Sequence, residues 1–328
     1  MTLPITILTG FLGSGKTTLL NHALRGPLLT RALVVVNELG AVPLDHLLVR
    51  QVHEDVLLLD SGCVCCSIRG DLVDTLLAEA SVGASSRFDR VFVETTGLAD
   101  PTPIVATLVR HPEIFQHYHL DAVVTAVDGQ HAVSTLARHD EAKKQVLLAD
   151  DLILTKVDIA DARALTAARA AAQDLNPGAR LFFAERGLLD WGPILDWNPS
   201  TVSARLDIPP CASPHGEDVR SFTVRVDRAV DFRLFAAWLA ILTQLHGEQL
   251  LRLKGLLRVE DEPGPLVVQA VQHVVHPTYS MSSWPSDDRS SRIMIITRGM
   301  PQPLVEQLRS SFALLLEGQV QARAAAGA

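Results

Sequence analysis

Short runs of β-branched and aliphatic residues alternate with amphipathic stretches over the first 185 residues. Several of these runs, among them ITILTG, ALVVVNE, RVFVETTG and DLILTKVD, end in turn-forming or polar residues. Stretches with helical spacing, such as DLVDTLLAEA and DARALTAARAAAQDL, lie between them. Near-continuous apolar strands that alternate with helices predict an α/β fold with a doubly wound, mostly parallel sheet. Ligands of such sheets bind beyond the carboxyl ends of the strands, where the motifs below all fall.

A second, smaller α+β domain is predicted after a break in this pattern. Residues 191–218 are rich in proline, serine and glycine, which is typical of a linker. Beyond it, VRSFTVRVD, LLRLKGLLRVE, PLVVQAVQHVVH and RIMIITRG are predicted strands, and DFRLFAAWLAILTQL and PLVEQLRSSFALLLEG are predicted helices. We therefore expect one domain at 1–190 and another at 219–328.

The composition of the chain argues against two classes of binding partner, nucleic acids and membranes. The formal net charge of −8 argues against nucleic acid, because phosphate backbones are bound by clustered lysine and arginine. No apolar run approaches the ~18 residues of a membrane span, so no membrane partner is expected. The N-terminus lacks the basic region and cleavage site of a signal peptide, which favours a cytoplasmic location.

The stretch GFLGSGKTT matches the phosphate-loop pattern G-x-x-x-x-G-K-[ST] between a predicted strand and a predicted helix. Its glycines allow backbone N–H groups to point at phosphate oxygens, and the helix that follows directs its positive end at the same anion. Lys16 is expected to reach the β- and γ-phosphates, and Thr17 to hold Mg²⁺. The predicted nucleotide-binding residues here are Gly10, Gly13, Ser14, Gly15, Lys16, Thr17 and Thr18.

The stretch LTKVD resembles the N-K-x-D guanine reader of GTPases. Asp158 would accept hydrogen bonds from guanine N1–H and its amino group, and Lys156 would pack its stem along the base. Thr155 stands where asparagine is commoner, which weakens part of the expected support. The motif therefore predicts GTP as the nucleotide.

The stretch VETTG supplies a carboxylate at the end of a strand and a glycine three positions later. We expect Glu94 to act on the Mg²⁺ shell and Gly97 to sense the γ-phosphate, so that Lys16, Glu94 and Gly97 form the catalytic set. Because no glutamine follows Gly97 to orient a water molecule, slow GTP hydrolysis is expected.

Three of the four cysteines lie in GCVCC, at Cys63, Cys65 and Cys66. A reducing compartment disfavours disulfides, so these thiols are expected to bind metal or to react. Soft thiolates favour Zn²⁺ over Mg²⁺, although Co²⁺ fits the same geometry. Glu38 is the main candidate for a further ligand, with Asp45 or His46 upstream as others. Inert buried thiols and a redox role remain alternatives.

Other candidate ligands have weaker local patterns. His117 and His119 are spaced by two residues but are expected to precede a strand on the surface. His273 and His276 lie three apart in the second domain, and their role is left open. Cys211 in the linker is expected to be a plain thiol.

These motifs resemble the CobW-like GTPase family, a group of metal chaperones. GFLGSGKTT, VVVNELG, SGCVCCSIRGDL, FVETTGLADPTPI, ADDLILTKVD and DLNPGA occur in the order of that family, and VQHVVH and WPSDDRSSRIMIITRG resemble its C-terminal domain. The resemblance implies a P-loop GTPase domain, slow GTP hydrolysis, Zn²⁺ or Co²⁺ at the C-x-C-C motif, and delivery of that metal to a client enzyme. Ala41 stands where the family usually has a second acidic residue, and only His215 remains of its histidine-rich loop.

The leading hypothesis is therefore a GTP-dependent metallochaperone with a client metalloenzyme as partner. A P-loop ATPase or kinase with a structural or redox thiol cluster is one alternative, and a nucleotide-switched adaptor is another. The sequence leaves a homodimer open.

Overall fold

A computed structural model describes most of the 328-residue chain. The described residues are 2–37, 56–59, 67–195, 211–212, 219–260, 262–275, 278–281, 283–284 and 287–312. The chain divides into two compact units, residues 1–197 and residues 198–328. Within the described ranges, no helix has the length and apolar character that crossing a membrane requires.

The first unit is built on a seven-stranded sheet in which every described pairing is parallel. The strand order is β3-β2-β4-β1-β5-β6-β7. The strands are β1 (Leu3–Gly10), β2 (Ala32–Asn37), β3 (Val56–Leu59), β4 (Arg90–Glu94), β5 (Tyr118–Asp128), β6 (Asp151–Thr155) and β7 (Arg180–Phe183). The predicted parallel α/β sheet is thereby confirmed.

Helices cover both faces of this sheet. They are α1 (Lys16–Leu24), α2 (Ser67–Ser81), α3 (Ala84–Arg87), α4 (Thr102–Arg110), α5 (Pro112–His117), α6 (Ala132–Arg138), α7 (Asp140–Leu148), α8 (Ala162–Leu175) and α9 (Gly192–Leu195), with a 3₁₀ turn at Pro27–Leu29. Side chains alternate between faces along a strand. On β6, Ile153 joins the core beneath α1, while Leu152 and Leu154 join the core beneath α6, α7 and α8. The unit is therefore doubly wound, as predicted.

The first residues of the predicted linker belong to this unit. Trp191, Ile194 and Leu195 are buried in the core beneath α1, and the Trp191 ring meets Phe92 edge-on at 5.8 Å. Burial of these apolar side chains outweighs the local proline and glycine content, so the ordered unit extends past residue 190.

The second unit is an antiparallel sheet with helices, which confirms its α+β class. The strand order is β12-β11-β10-β14-β9-β8, and β13 pairs with β11. The strands are β8 (Cys211–Ala212), β9 (Val219–Val226), β10 (Leu250–Leu257), β11 (Leu266–Val271), β12 (Val274–Val275), β13 (Tyr279–Ser280) and β14 (Ser291–Arg298), and the helices are α10 (Phe232–His246) and α11 (residues 302–312). Cys211 thus lies in a short strand paired with β9 rather than in open linker.

The prediction of a single strand over PLVVQAVQHVVH was wrong. The chain turns at Gln272, whose φ is 51°, and β12 folds back to pair with β11. The apolar residues run on through this turn because both short strands contribute to the same sheet. Apolar content alone could not show where the chain reverses.

Candidate nucleotide-binding site

The loop between β1 and α1 has the backbone that the glycine pattern predicts. Gly10, Gly13 and Gly15 have φ of 143°, 71° and 88°, values that other residues rarely adopt. A Cβ on Gly10 would also collide with the carbonyl oxygen of Ala126 on β5. The loop therefore needs glycine for its conformation at all three positions and for space at the first.

Lys16 is buried, and its ammonium group lies over the loop. Its Nζ donates to the carbonyl oxygens of Gly10 at 2.8 Å and Phe11 at 3.2 Å. The hydroxyl of Thr17 donates to Oε1 of Glu94 at 2.9 Å. The first helical turn thus carries a cation over the loop and a hydroxyl–carboxylate pair beside it.

The residues after β4 lie against this loop. The backbone N–H of Thr95 donates to the carbonyl oxygen of Leu8 at 3.0 Å. A Cβ on Gly97 would lie 2.7 Å from the backbone nitrogen of Leu12. Only glycine permits this approach, which brings the predicted γ-phosphate sensor into contact with the phosphate loop.

Helix α7 holds the turn that follows Gly97, a contact that no motif in the sequence predicted. Nε2 of Gln145 donates to the carbonyl oxygens of Gly97 and Ala99, and Lys144 forms an ion pair with Asp100. Gln145 also lines a cavity of about 200 Å³ beside the loop. The signal in the sequence was a glutamine on the otherwise apolar face of the helix.

Thr155 connects the guanine motif to the loop in spite of replacing asparagine. Its hydroxyl lies 2.7 Å from the carbonyl oxygen of Ser14 and 3.2 Å from that of Val127. The side chain is buried, and its hydroxyl links the end of β6 to the phosphate loop. Whether threonine weakens the support for guanine stays a prediction; the structure shows that its hydroxyl bonds to the phosphate loop.

Lys156, the next residue of the motif, has a left-handed backbone with φ of 58° and an ion pair to Asp128 at 2.7 Å. Burial raises the pKa of Asp128. Hydrogen bonds from Lys156 and from the backbone N–H groups of Gln130 and His131 together lower it by more, so the pKa lies below its ordinary value. Asp128 therefore stays ionised and fixes the Lys156 ammonium. Asp128 lies at the end of β5, and no motif in the sequence pointed to it.

Asp158 faces a turn that follows β7. Its Oδ1 accepts from the backbone N–H of Arg186 at 3.3 Å, and its Oδ2 lies 3.6 Å from Nε of Arg186. A Cβ on Gly187 would lie 2.7 Å from Cγ2 of Thr18, so the same turn packs on the start of α1. Arg186 and Gly187 were also missed, because only the fold brings them to the guanine motif.

The predicted soft-metal ligands Cys63, Cys65, Cys66 and Glu38, with Asp45 and His46, lie outside the described residues. In the part of the chain that the structure describes, no group of three or more His, Cys, Asp or Glu side chains could hold a metal ion.

Two of the candidate histidines, His119 and His273, make hydrogen-bonded contacts within the described residues. His119 lies within β5 rather than before it, and its ring contacts Thr2 at 2.9 Å. Nδ1 of His273 donates to the carbonyl oxygen of Thr243 on α10 at 2.7 Å. His276 lies outside the described residues.

Two family models match the chain. The model "CobW/HypB/UreG, nucleotide-binding domain" matches residues 4–183, and the model "Cobalamin synthesis protein cobW C-terminal domain" matches residues 219–315. The chain belongs to the CobW/HypB/UreG family. The resemblance found in the sequence is thereby confirmed.

Similar proteins span nearly the whole of this CobW-family chain. It is 32% identical to the zinc chaperone YjiA of Escherichia coli K12 over 94% of this chain and 97% of that protein. It is 30% identical to the zinc chaperone CobW of Pseudomonas aeruginosa over 95% and 92% of the two chains. A crystal structure of Zn(II)-bound YjiA GTPase from E. coli matches with a TM-score of 0.64 at 27% identity, covering 96% of this chain and 99% of that one.

Proposed function

We propose that this CobW-family protein is a GTP-dependent zinc chaperone. It binds Zn²⁺ through Cys63, Cys65 and Cys66 with Glu38, hydrolyses GTP slowly, and passes the metal to a client metalloenzyme. Its similarity to proteins named zinc chaperones over nearly the full length of the chain supports this proposal. The free thiolates that this role needs suit a reducing compartment, and we place the protein in the cytoplasm.

The strand register is the observation that supports a coupling between nucleotide binding and metal binding. Strand β2 lies between β3 and β4, with Asn37 beside Leu59 and Val36 beside Glu94. Glu38 follows the end of β2, and the cysteine motif follows the end of β3 by four residues. The described strands β2 and β3 therefore end at the same edge of the sheet as Glu94 at the end of β4.

The phosphate loop and its neighbours supply the chemistry of hydrolysis in this proposal. Lys16 neutralises charge on the β- and γ-phosphates, and Gly97 responds to the γ-phosphate. Thr17 and Glu94 would hold Mg²⁺, which would supply charge neutralisation at the phosphates. Their 2.9 Å hydroxyl–carboxylate contact supports this, because both groups offer the oxygen ligands that this ion prefers. Asp158 selects guanine, with Thr155 and Lys156 supporting the site.

Zinc affinity measured in the two nucleotide states tests the proposal. We expect calorimetry to give tighter Zn²⁺ binding with a non-hydrolysable GTP analogue than with GDP, and by linkage tighter analogue binding with Zn²⁺ by the same factor. Equal zinc affinities in the two states would remove the coupling.

Substitution of the cysteines tests the ligands. Cys65→Ser with Cys66→Ser leaves Cys63 as the one proposed thiolate, so we expect the thiolate-to-cobalt charge-transfer absorption to fall to about a third or less and delivery to a client to be lost. GTP binding should survive, because the phosphate loop is separate in sequence from this motif. Cys211→Ser is the matched control and should retain the absorption. If ATP displaced GTP at comparable concentration, the chain would instead be an ATPase or kinase; if the client stayed active with the double variant, an adaptor role would replace delivery.

A further inference from the structure

Helix α7 binds directly to the turn that follows the proposed γ-phosphate sensor. Nε2 of Gln145 donates to the carbonyl oxygen of Gly97 at 3.1 Å and to that of Ala99 at 2.9 Å. Gln145 has 0% exposure and its bond to Gly97 is buried, so water cannot replace that bond at low cost; the bond to Ala99 is partly buried. Both hydrogens of one amide group are thus committed to one turn.

A second contact holds the next residue of the turn. Nζ of Lys144 lies 2.9 Å from Oδ2 of Asp100, whose Oδ1 accepts from the backbone N–H of Thr102 at 2.9 Å. Adjacent residues of α7 therefore hold residues 97–100 at three points. The ion pair is partly exposed and contributes less than the buried amide.

The C-terminal end of α7 is held by Asn176, which belongs to the DLNPGA motif. Nδ2 of Asn176, a residue with 1% exposure, lies within 3.2 Å of the carbonyl oxygens of Val146, Leu147 and Ala149. The hydroxyl of Thr125 on β5 donates to the carbonyl oxygen of Gln145 at 2.8 Å. These bonds leave α7 little freedom to follow a displaced turn.

We propose that Gln145 is a positioning residue for the response to the γ-phosphate. It fixes the carbonyls of Gly97 and Ala99 so that the backbone of Gly97 stays against Leu12 of the phosphate loop. This inference rests on the role proposed above for Gly97. It assigns to α7 a part in distinguishing GTP from GDP that the sequence motifs do not suggest.

The chemistry of the amide explains why this position requires glutamine. An isosteric methionine has no donor, so Gln145→Met removes the hydrogen bonds to a buried carbonyl oxygen, that of Gly97, and to a partly buried one, that of Ala99. The turn then relaxes away from the loop. GDP has no γ-phosphate to contact the turn, so the affinity of the protein for GDP should be preserved.

The test compares affinities for GDP and for a non-hydrolysable GTP analogue in the full chain without zinc. For Gln145→Met we expect analogue affinity to fall about tenfold, equivalent to about 1.4 kcal/mol, with GDP affinity within about twofold of wild type. Gln173→Met is the matched control, because Gln173 on α8 bonds to Arg169 and should change neither affinity. Equal losses for both nucleotides, or no loss, would overturn the inference, since a merely structural role would not separate them.

A second variant decides the matter if Gln145→Met does not fold. Lys144→Met removes a half-exposed partner of the turn and should lower analogue affinity about threefold, while Lys143→Met on the same helix should not. Loss of GDP affinity to the same extent in Lys144→Met would again overturn the inference. If the wild-type chain itself binds both nucleotides equally, the proposed role of Gly97 fails; if wild type and both variants discriminate alike, only the role of Gln145 fails.

Discussion

The hydroxyl of Thr155 lies 2.7 Å from the carbonyl oxygen of Ser14, so the guanine motif and the phosphate loop are joined by a buried hydrogen bond between residues 141 positions apart. The same hydroxyl also lies 3.2 Å from the carbonyl oxygen of Val127 at the end of β5. The ends of β5 and β6 thereby help to hold the loop in shape.

Thr155→Val keeps the shape of the side chain and removes this hydrogen bond. Leaving a buried acceptor without its partner costs about 1–3 kcal/mol, and we expect that loss in the free energy of unfolding. Affinities for GTP and GDP should fall together, because Ser14 belongs to the loop expected to hold phosphates common to both. Chemical denaturation and nucleotide titration measure the two effects. Thr166→Val, which removes a surface hydroxyl on α8, is the control, and unchanged stability of Thr155→Val would contradict the assigned bond.

Asp158→Asn should change the base that the protein prefers. The carboxylate would accept two guanine donors, and asparagine can accept only one of them while offering an N–H to the other. We expect GTP affinity to fall at least about tenfold and affinity for xanthosine triphosphate to rise, because xanthine has a carbonyl where guanine has its amino group. Competition binding with the two nucleotides measures this.

The control for that exchange lies three residues away. Asp161 caps α8 by accepting from the backbone N–H of Ala164, and asparagine caps helices equally well. Asp161→Asn should therefore leave both nucleotide affinities unchanged. Parallel losses in the two variants would mean that Asp158 acts on stability rather than on the base.

The stability contribution of Asp128 should depend on pH. Its pKa is lowered below the ordinary value of 3.8 because hydrogen bonds from Lys156, Gln130 and His131 outweigh burial. A lowered carboxyl pKa stabilises the fold above the unfolded value, and that stabilisation is lost as the pH falls through the folded value. Asp128→Asn should thus be less stable than wild type at pH 7, by at most about 1 kcal/mol because Lys156 is partly exposed.

Unfolding by denaturant at pH 7 and below pH 3.8 measures this dependence. The difference between wild type and Asp128→Asn should shrink as the pH is lowered, because protonated Asp128 resembles the amide. A difference that grows toward low pH would contradict the sign of the pKa shift.

His273→Ala should destabilise the second unit without altering metal binding. The ring donates to the carbonyl oxygen of Thr243 near the end of α10 and packs so closely on Gly247 that a Cβ there would overlap it. Loss of this bond should cost about 1–2 kcal/mol in the free energy of unfolding. Thermal unfolding and zinc titration separate the two roles, with His246→Ala as the control on the same helix. Lost zinc with unchanged stability would make His273 a ligand.

The sequence by itself determined the phosphate loop, the alternation of strands and helices, and the family. These features are local. The glycines, the lysine that follows them and the apolar strand before them occupy neighbouring positions in the sequence, so the pattern is recognised without the fold. The same local reasoning predicts a soft-metal site at Cys63, Cys65 and Cys66, and that prediction falls outside the described residues.

Only the tertiary structure decided what supports these motifs. Gln145 lies 48 residues from Gly97 and meets it because α7 packs against β5 beside the turn that follows β4. Arg186 lies 28 residues from Asp158, and the two meet because the parallel strands β6 and β7 bring their carboxyl ends to one edge. The turn at Gln272 likewise follows from strand pairing, since its neighbours have the apolar character of a continuous strand. Contacts between distant residues depend on how the sheet is ordered, and the hydrophobic pattern of one segment does not contain that order.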